Sequence, residues 1–135
     1  MTGVQTCALL VDVDHVLRRE AGRFGIYYVE TGANQRPSRV IYDRDYSAVS
    51  MCSGEEYDWD SIFADAQWFH ISGITLSISE TAAHAAILAA KKAQAAGVKV
   101  SCDLNFRKNL WRWRSGSDAR SLARSIMPDF LENVN

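Results

Sequence analysis

Hydrophobic positions along this chain follow a strand pattern first and a helical one later. Phe24–Thr31 (F-G-I-Y-Y-V-E-T) is rich in aromatic and β-branched residues, and a second such run, Arg39–Arg44 (R-V-I-Y-D-R), follows the loop Gly-Ala-Asn-Gln-Arg-Pro-Ser. The two read as a β-hairpin with a seven-residue connection. On the first strand Ile26, Tyr28 and Glu30 share one face and Gly25, Tyr27, Val29 and Thr31 the other; on the second, Val40, Tyr42 and Arg44 are aligned. The acidic, polar stretch Ser53–Asp60 leads into a short helix at about 59–66 and then an apolar strand, Gln67–Ser72. Next comes the turn Ser72-Gly73-Ile74-Thr75, with glycine where backbone can approach a ligand closely. Ser77-Ile-Ser-Glu80 has the form of a capping box and predicts a helix over about 79–96, with Gly97 at its C′ position. Alanines at 82, 83, 85, 86, 89, 90, 93, 95 and 96 favour that helix and let it lie close to a sheet. With the strand that begins at Val98 it makes a βαβ unit. A polar break at 114–117 precedes a last helix, about 118–126, with Pro128 just beyond it.

The strand from Val98 (V-K-V-S-C-D-L-N-F-R-K-N-L-W) runs into Asp103, Asn105 and Arg107 at alternate positions. Side chains two apart on an extended segment share a face, so an acid, an amide and a guanidinium are expected together at the strand end. Ligands in open α/β sheets bind at the carboxyl ends of strands. The same spacing is equally open to turn chemistry, with Asp103 and Asn105 bonded to backbone and Arg107 solvated. The tyrosines and arginine of the hairpin are open in the same way: a hydrogen-bonding surface for a polar ligand, or amphipathic edge residues.

Composition narrows the class. The 135 residues are 47% hydrophobic and 23% charged, the make-up of one ordinary soluble domain. Fifteen basic against sixteen acidic residues, a net charge of −1, argue against nucleic acid or an anionic membrane as partner. Basic residues do cluster at 107, 108, 112 and 114 around Trp111 and Trp113, and an anion-binding corner accounts for them more economically than a nucleic-acid surface. Cys7, Cys52 and Cys102 have neither disulfide-framework nor metal spacing, so a reducing, cytoplasmic setting and no metal site are expected. His15, His70 and His84 share no ligand spacing, and His70 reads as a core or rim histidine. No apolar run has the length of a membrane span. Residues 1–10 lack periodicity and a cap and read as a foreign or unstructured segment, which leaves 11–135 as the fold.

Three segments together resemble the PfkB (ribokinase-like) carbohydrate kinases, and within them the 2-keto-3-deoxygluconate kinase branch. Gly25–Ser50 (G-I-Y-Y-V-E-T-G-A-N-Q-R-P-S-R-V-I-Y-D-R-D-Y-S-A-V-S) is similar to the lid hairpin of that branch. Phe69–Leu76 (F-H-I-S-G-I-T-L) is similar to the strand and turn bordering the sugar pocket, and Asp103–Trp111 (D-L-N-F-R-K-N-L-W) to the family's D-x-N-x-R-x-x-L-W pattern. The resemblance implies a partial ribokinase-like fold: a lid hairpin over about 24–44 and, over about 59–135, the βαβ portion of a central, mostly parallel sheet. It implies that Tyr27, Tyr42 and Arg44 line a sugar-acid site from the lid, that Ile74 is an apolar wall, and that Arg107 binds the substrate carboxylate. Asp103 and Asn105 would lie nearer the phosphoryl-transfer region. A homodimer through the lid hairpin is a further implication.

The family's catalytic base is an aspartate in a Gly-Ala-Gly-Asp motif at a helix N-terminus, and this sequence contains neither that motif nor a P-loop. The expectation is therefore half of a sugar site without the nucleotide site. ATP and Mg2+ belong to the longer parent, and neither is expected to bind well here. Two functions from different classes follow: an internal piece of a sugar-acid kinase, inactive alone, or a non-catalytic α/β module that binds an acidic sugar or associates through its hairpin. Another sugar kinase of the same family, fructokinase-like, stands as a variant of the first.

Overall fold

The computed structural model describes residues 12–135, so the reading of residues 1–10 lies outside the described residues. β1 (Ile26–Glu30) and β2 (Arg39–Asp43) form an antiparallel hairpin, with Tyr27 opposite Tyr42, Tyr28 opposite Ile41 and Val29 opposite Val40. Both faces of this two-stranded sheet are open, and Ile26, Tyr27, Tyr28, Val29, Val40 and Ile41 are all exposed. The connecting loop closes on itself: Gly32 N–H donates to Ser38 Oγ at 3.1 Å and Arg36 pairs with Glu30 at 2.6 Å. Glycine is required at 32, because a Cβ there would sit 2.0 Å from the Arg36 carbonyl oxygen.

Below the hairpin, β3 (Trp68–Ser72) and β4 (Lys99–Asp103) pair in parallel, with Trp68 opposite Lys99, His70 opposite Ser101 and Ser72 opposite Asp103. The crossover between them is helical, as the βαβ pattern predicts, but it holds two helices. Ser72 caps α3 (Gly73–Ile78) through a hydrogen bond from Ile74 N–H to its Oγ at 3.3 Å, so the predicted turn at 72–75 is instead the start of a helix. Ser77 belongs to this helix, is fully buried and donates to the Ile74 carbonyl at 2.6 Å. It does not cap the next helix. That cap is Ser79, extended at φ −161°, whose Oγ accepts from Ala82 N–H at 2.9 Å and donates to the Ser50 carbonyl at 2.6 Å.

α4 (Glu80–Ala95) ends as predicted. Gly97 adopts φ +76°, its N–H donates to the Gln94 carbonyl, and the Val98 N–H reaches the Ala93 carbonyl at 2.9 Å, which closes a Schellman motif. Ala82, Ala83, Ala86, Ala89, Ala90 and Ala93 are buried at helical spacing, so the small side chains bring the helix close to its neighbours. The core joins them to Phe63 of α2 (Trp59–Phe63), Leu76, Val98, Val100 and Trp111. Ahead of α2 lie α1 (Ala48–Met51) and a single 3₁₀ turn, Gly54–Glu56, which Ser53 and Glu56 close as a capping box.

α5 (Ala119–Leu131), capped by Asp118, passes through Pro128 rather than stopping before it. The ring costs one helical hydrogen bond. The chain stays helical because Leu122, Ile126 and Phe130, one stripe of this helix, are all buried in the core, Phe130 completely. Among the described residues only one face of the β3–β4 pair is packed: Phe69, Ile71 and Val100 point to the core, whereas Trp68, His70 and Lys99 are exposed. No helix of the described residues is long and apolar enough to cross a membrane.

Candidate functional site

The hairpin register gathers the first group of predicted residues. Tyr27 and Tyr42 are directly opposed, hence on one face, and the Arg44 guanidinium lies over the Tyr42 ring at 5.5 Å from its centroid. The opposite face carries Asp43, which the Arg23 guanidinium grips through both nitrogens, one contact at 2.9 Å. This fork holds the Asp43 carboxyl below the ordinary carboxylate range and anchors the base of the hairpin from behind.

The second group does not share a strand face. β4 ends at Asp103, Asn105 takes a left-handed φ of +31°, and Arg107 to Leu110 form a turn closed by Leu110 N–H to the Arg107 carbonyl at 2.9 Å. The alternation of Asp103, Asn105 and Arg107 is therefore broken, because a residue at positive φ turns the chain out of the extended conformation. Asp103 stays at the sheet, where it accepts from Ser72 Oγ at 2.7 Å and stands 3.7 Å from His70 Nε2. Arg107 is exposed on the loop. Ile74 lies in the first turn of α3, partly buried, two residues after Ser72, the β3 residue that contacts Asp103. Backbone approach at this corner is very close, since a Cβ on Gly73 would meet the Leu104 carbonyl oxygen at 2.4 Å.

An ion pair joins the two groups. Arg112, on the loop after β4, contacts Asp45, on the turn after β2, at 2.8 Å. Sequence reading passed over this pair, together with Arg23–Asp43 and the partners of His70, because each depends on how distant segments dock. His70 itself is exposed on the open sheet face and hydrogen-bonded to Ser101 at 2.8 Å, a rim rather than a core position. A cavity of about 420 Å3 lies elsewhere, between residues 15–25 and α1, and is lined largely by apolar groups such as Val16, Leu17 and Phe24. Beside it, burial and then a hydrogen bond with Cys52 push the Tyr57 phenol up to about 12. Cys52 and Cys102 are free thiols, and burial, followed by the charge of Asp103, raises the Cys102 thiol.

Comparison with known proteins gives these positions a context. No family model matches the chain. It is 42% identical over 106 residues to a 2-dehydro-3-deoxygalactonokinase of Haloferax volcanii, which covers 78% of this chain and 32% of that protein. The crystal structure of 2-dehydro-3-deoxygluconokinase from Thermotoga maritima superposes with a TM-score of 0.73 at 43% identity, over 84% of this chain and 33% of the other. The chain belongs to the PfkB, ribokinase-like carbohydrate kinases. Within them it falls on the 2-keto-3-deoxygluconate and galactonate kinase branch, and it spans about a third of the length of these relatives. The fold is shared more widely, as with a Xylella fastidiosa fructokinase solved with bound ATP, at a TM-score of 0.75, 26% identity and coverage of 92% of this chain and 36% of the other. The open sheet face and two-sided hairpin of this PfkB chain fit that partial span, since parallel sheets are ordinarily covered on both faces.

Proposed function

We propose that this chain is the lid and part of the sugar-acid site of a kinase that transfers phosphate from ATP to the terminal hydroxyl of 2-keto-3-deoxygluconate or the corresponding galactonate. The observation that carries this reading is the hairpin face on which Tyr27, Tyr42 and Arg44 stand together. Two phenols and a guanidinium offer hydrogen bonds to hydroxyl groups on an otherwise apolar surface. A lid of this kind closes over a sugar and excludes water, which phosphoryl transfer requires more than covalent help from the protein. Arg107 takes the substrate carboxylate, because a planar guanidinium grips it through two parallel hydrogen bonds and is left unpaired by a neutral sugar. Ile74 supplies an apolar wall, and Asp103 and Asn105 border the transferred group.

Among the described residues no three His, Cys, Asp or Glu side chains come together, and the Gly-Ala-Gly-Asp segment is not in the sequence. On the second hairpin face Ile26, Tyr28 and Ile41 are exposed beside the charged pairs of Asp43 and Glu30, and this mixed surface supports association of two copies through the lid, in a cytoplasmic enzyme with reduced thiols. Greater identity to the sugar-acid kinases than to the fructokinase favours the acid as substrate.

Titration of the chain with 2-keto-3-deoxygluconate, followed by NMR, tests the reading. Signals of Tyr27, Tyr42, Arg44 and Arg107 are expected to move with the acid and not with fructose. Equal responses to both would overturn the branch, and no response to either would overturn the site. A coupled ADP-release assay with ATP, magnesium and the acid is expected to show no turnover by the chain alone.

A further inference from the structure

The open face of the parallel pair carries a connected row of polar groups, of which the proposed reaction uses only Asp103. In the β3–β4 register, Trp68, His70 and Ser72 alternate along one strand beside Ser101 and Asp103 on the other, so all five lie on one face. Trp68 Nε1–H donates to Ser101 Oγ at 2.7 Å, and the same oxygen lies 2.8 Å from His70 Nδ1. An indole N–H has no acceptor role, so Ser101 must accept from Trp68. Ser101 Oγ keeps a second lone pair, so the serine alone does not set the ring; the Asp103 carboxylate on the Nε2 side favours the proton on Nε2, and Nδ1 then accepts from the Ser101 hydroxyl. Nε2 faces Asp103 Oδ2 at 3.7 Å, while Asp103 Oδ1 accepts from Ser72. The separation is too long for a direct hydrogen bond but keeps an N–H dipole aimed at the carboxylate.

We propose that His70 is a positioning residue, held as its Nε2–H tautomer between Ser101, itself fixed by the Trp68 indole, and the Asp103 carboxylate, so that it and Ser72 together orient Asp103 at the end of β4. The two ends of this relay act together: the carboxylate favours the proton on Nε2, Ser101 donates to Nδ1, and the imidazole and Ser72 face the two carboxylate oxygens. Asp103 is the member at the strand end, where ligands of open α/β sheets bind. Its bearing on substrate rests on the proposed sugar-acid site, whereas the relay itself does not.

Long-range 1H–15N spectra of the imidazole rings in the whole chain read the tautomer directly, with α4 and α5 amide signals as the control for folding. His70 is expected to hold the proton on Nε2 alone, and Ser101→Ala to replace this with a mixture of the two tautomers. Trp68→Phe frees the serine rotor and is expected to act in the same direction, less completely. A proton on Nδ1 in the unaltered chain, or a tautomer unchanged by Ser101→Ala in a folded variant, overturns the relay. The sugar-acid titration separates this from the site: an Asp103 carboxyl signal that ignores the acid while His70 keeps its single tautomer overturns the place of Asp103 in the site and leaves the relay standing.

Discussion

Tyr46 shows how one residue can oppose the fold that surrounds it. It occupies the third position of the turn closed by Ser47 N–H to the Arg44 carbonyl at 3.2 Å, at φ +57° and with its ring exposed. A bulky side chain in the left-handed region costs about 1–2 kcal/mol, and nothing buried offsets it. Tyr46→Gly is therefore expected to raise stability by about 1 kcal/mol in urea unfolding; a loss of stability would count against strain at this position. Arg107 makes the opposite kind of case, an exposed group whose worth appears only with ligand. Arg107→Lys keeps the charge and loses the fork, and the dissociation constant for 2-keto-3-deoxygluconate is expected to rise about tenfold. An unchanged constant would remove Arg107 from the site. The residue types at 27, 42, 44 and 107 were legible in the sequence, but the left-handed Asn105 that separates Arg107 from Asp103 was not, because asparagine is tolerated in both conformations.

Elements follow local signals wherever those signals are self-contained. The hairpin, Gly97 and the alanine-rich α4 were readable because turn chemistry, a C-cap and helix propensity act within a few residues. α3 and the run of α5 past Pro128 were not, since their outcome depends on burial of Leu76 and Phe130, both fully inaccessible. Phe130→Ala is expected to cost about 3–5 kcal/mol and to destabilise α5 with the core, checked by denaturant unfolding. The base of the hairpin responds to pH through Asp43. Its carboxyl is lowered by Arg23, so the clamp contributes fully above the ordinary carboxylate range and is lost as pH falls through the lowered value. Protection factors of the β1 and β2 amides, taken against the intrinsic exchange rate at each pH, should fall in acid well before those of α4; an equal fall in both would argue against a local clamp.

At the scale of the molecule, the decisive fact is how little covers the two sheets. Among the described residues one parallel pair is packed on one side, and the hairpin on neither, leaving Trp68, Tyr27, Tyr28 and Ile41 exposed. Such faces and free strand edges favour association, so the chain is expected to self-associate in sedimentation velocity runs at micromolar concentration. A single monomeric species with a sharp thermal transition would count against this. By itself the sequence determined the hairpin and its face, the β3–α4–β4 unit and the kinship of Gly25–Ser50, Phe69–Leu76 and Asp103–Trp111, because alternation, caps and motif spacing are properties of neighbouring residues. Only the tertiary structure decided which distant groups meet: Arg23 with Asp43, Asp45 with Arg112, and Trp68, His70 and Ser72 with Ser101 and Asp103. Those meetings depend on strand register and helix docking, which core burial sets and no local pattern records.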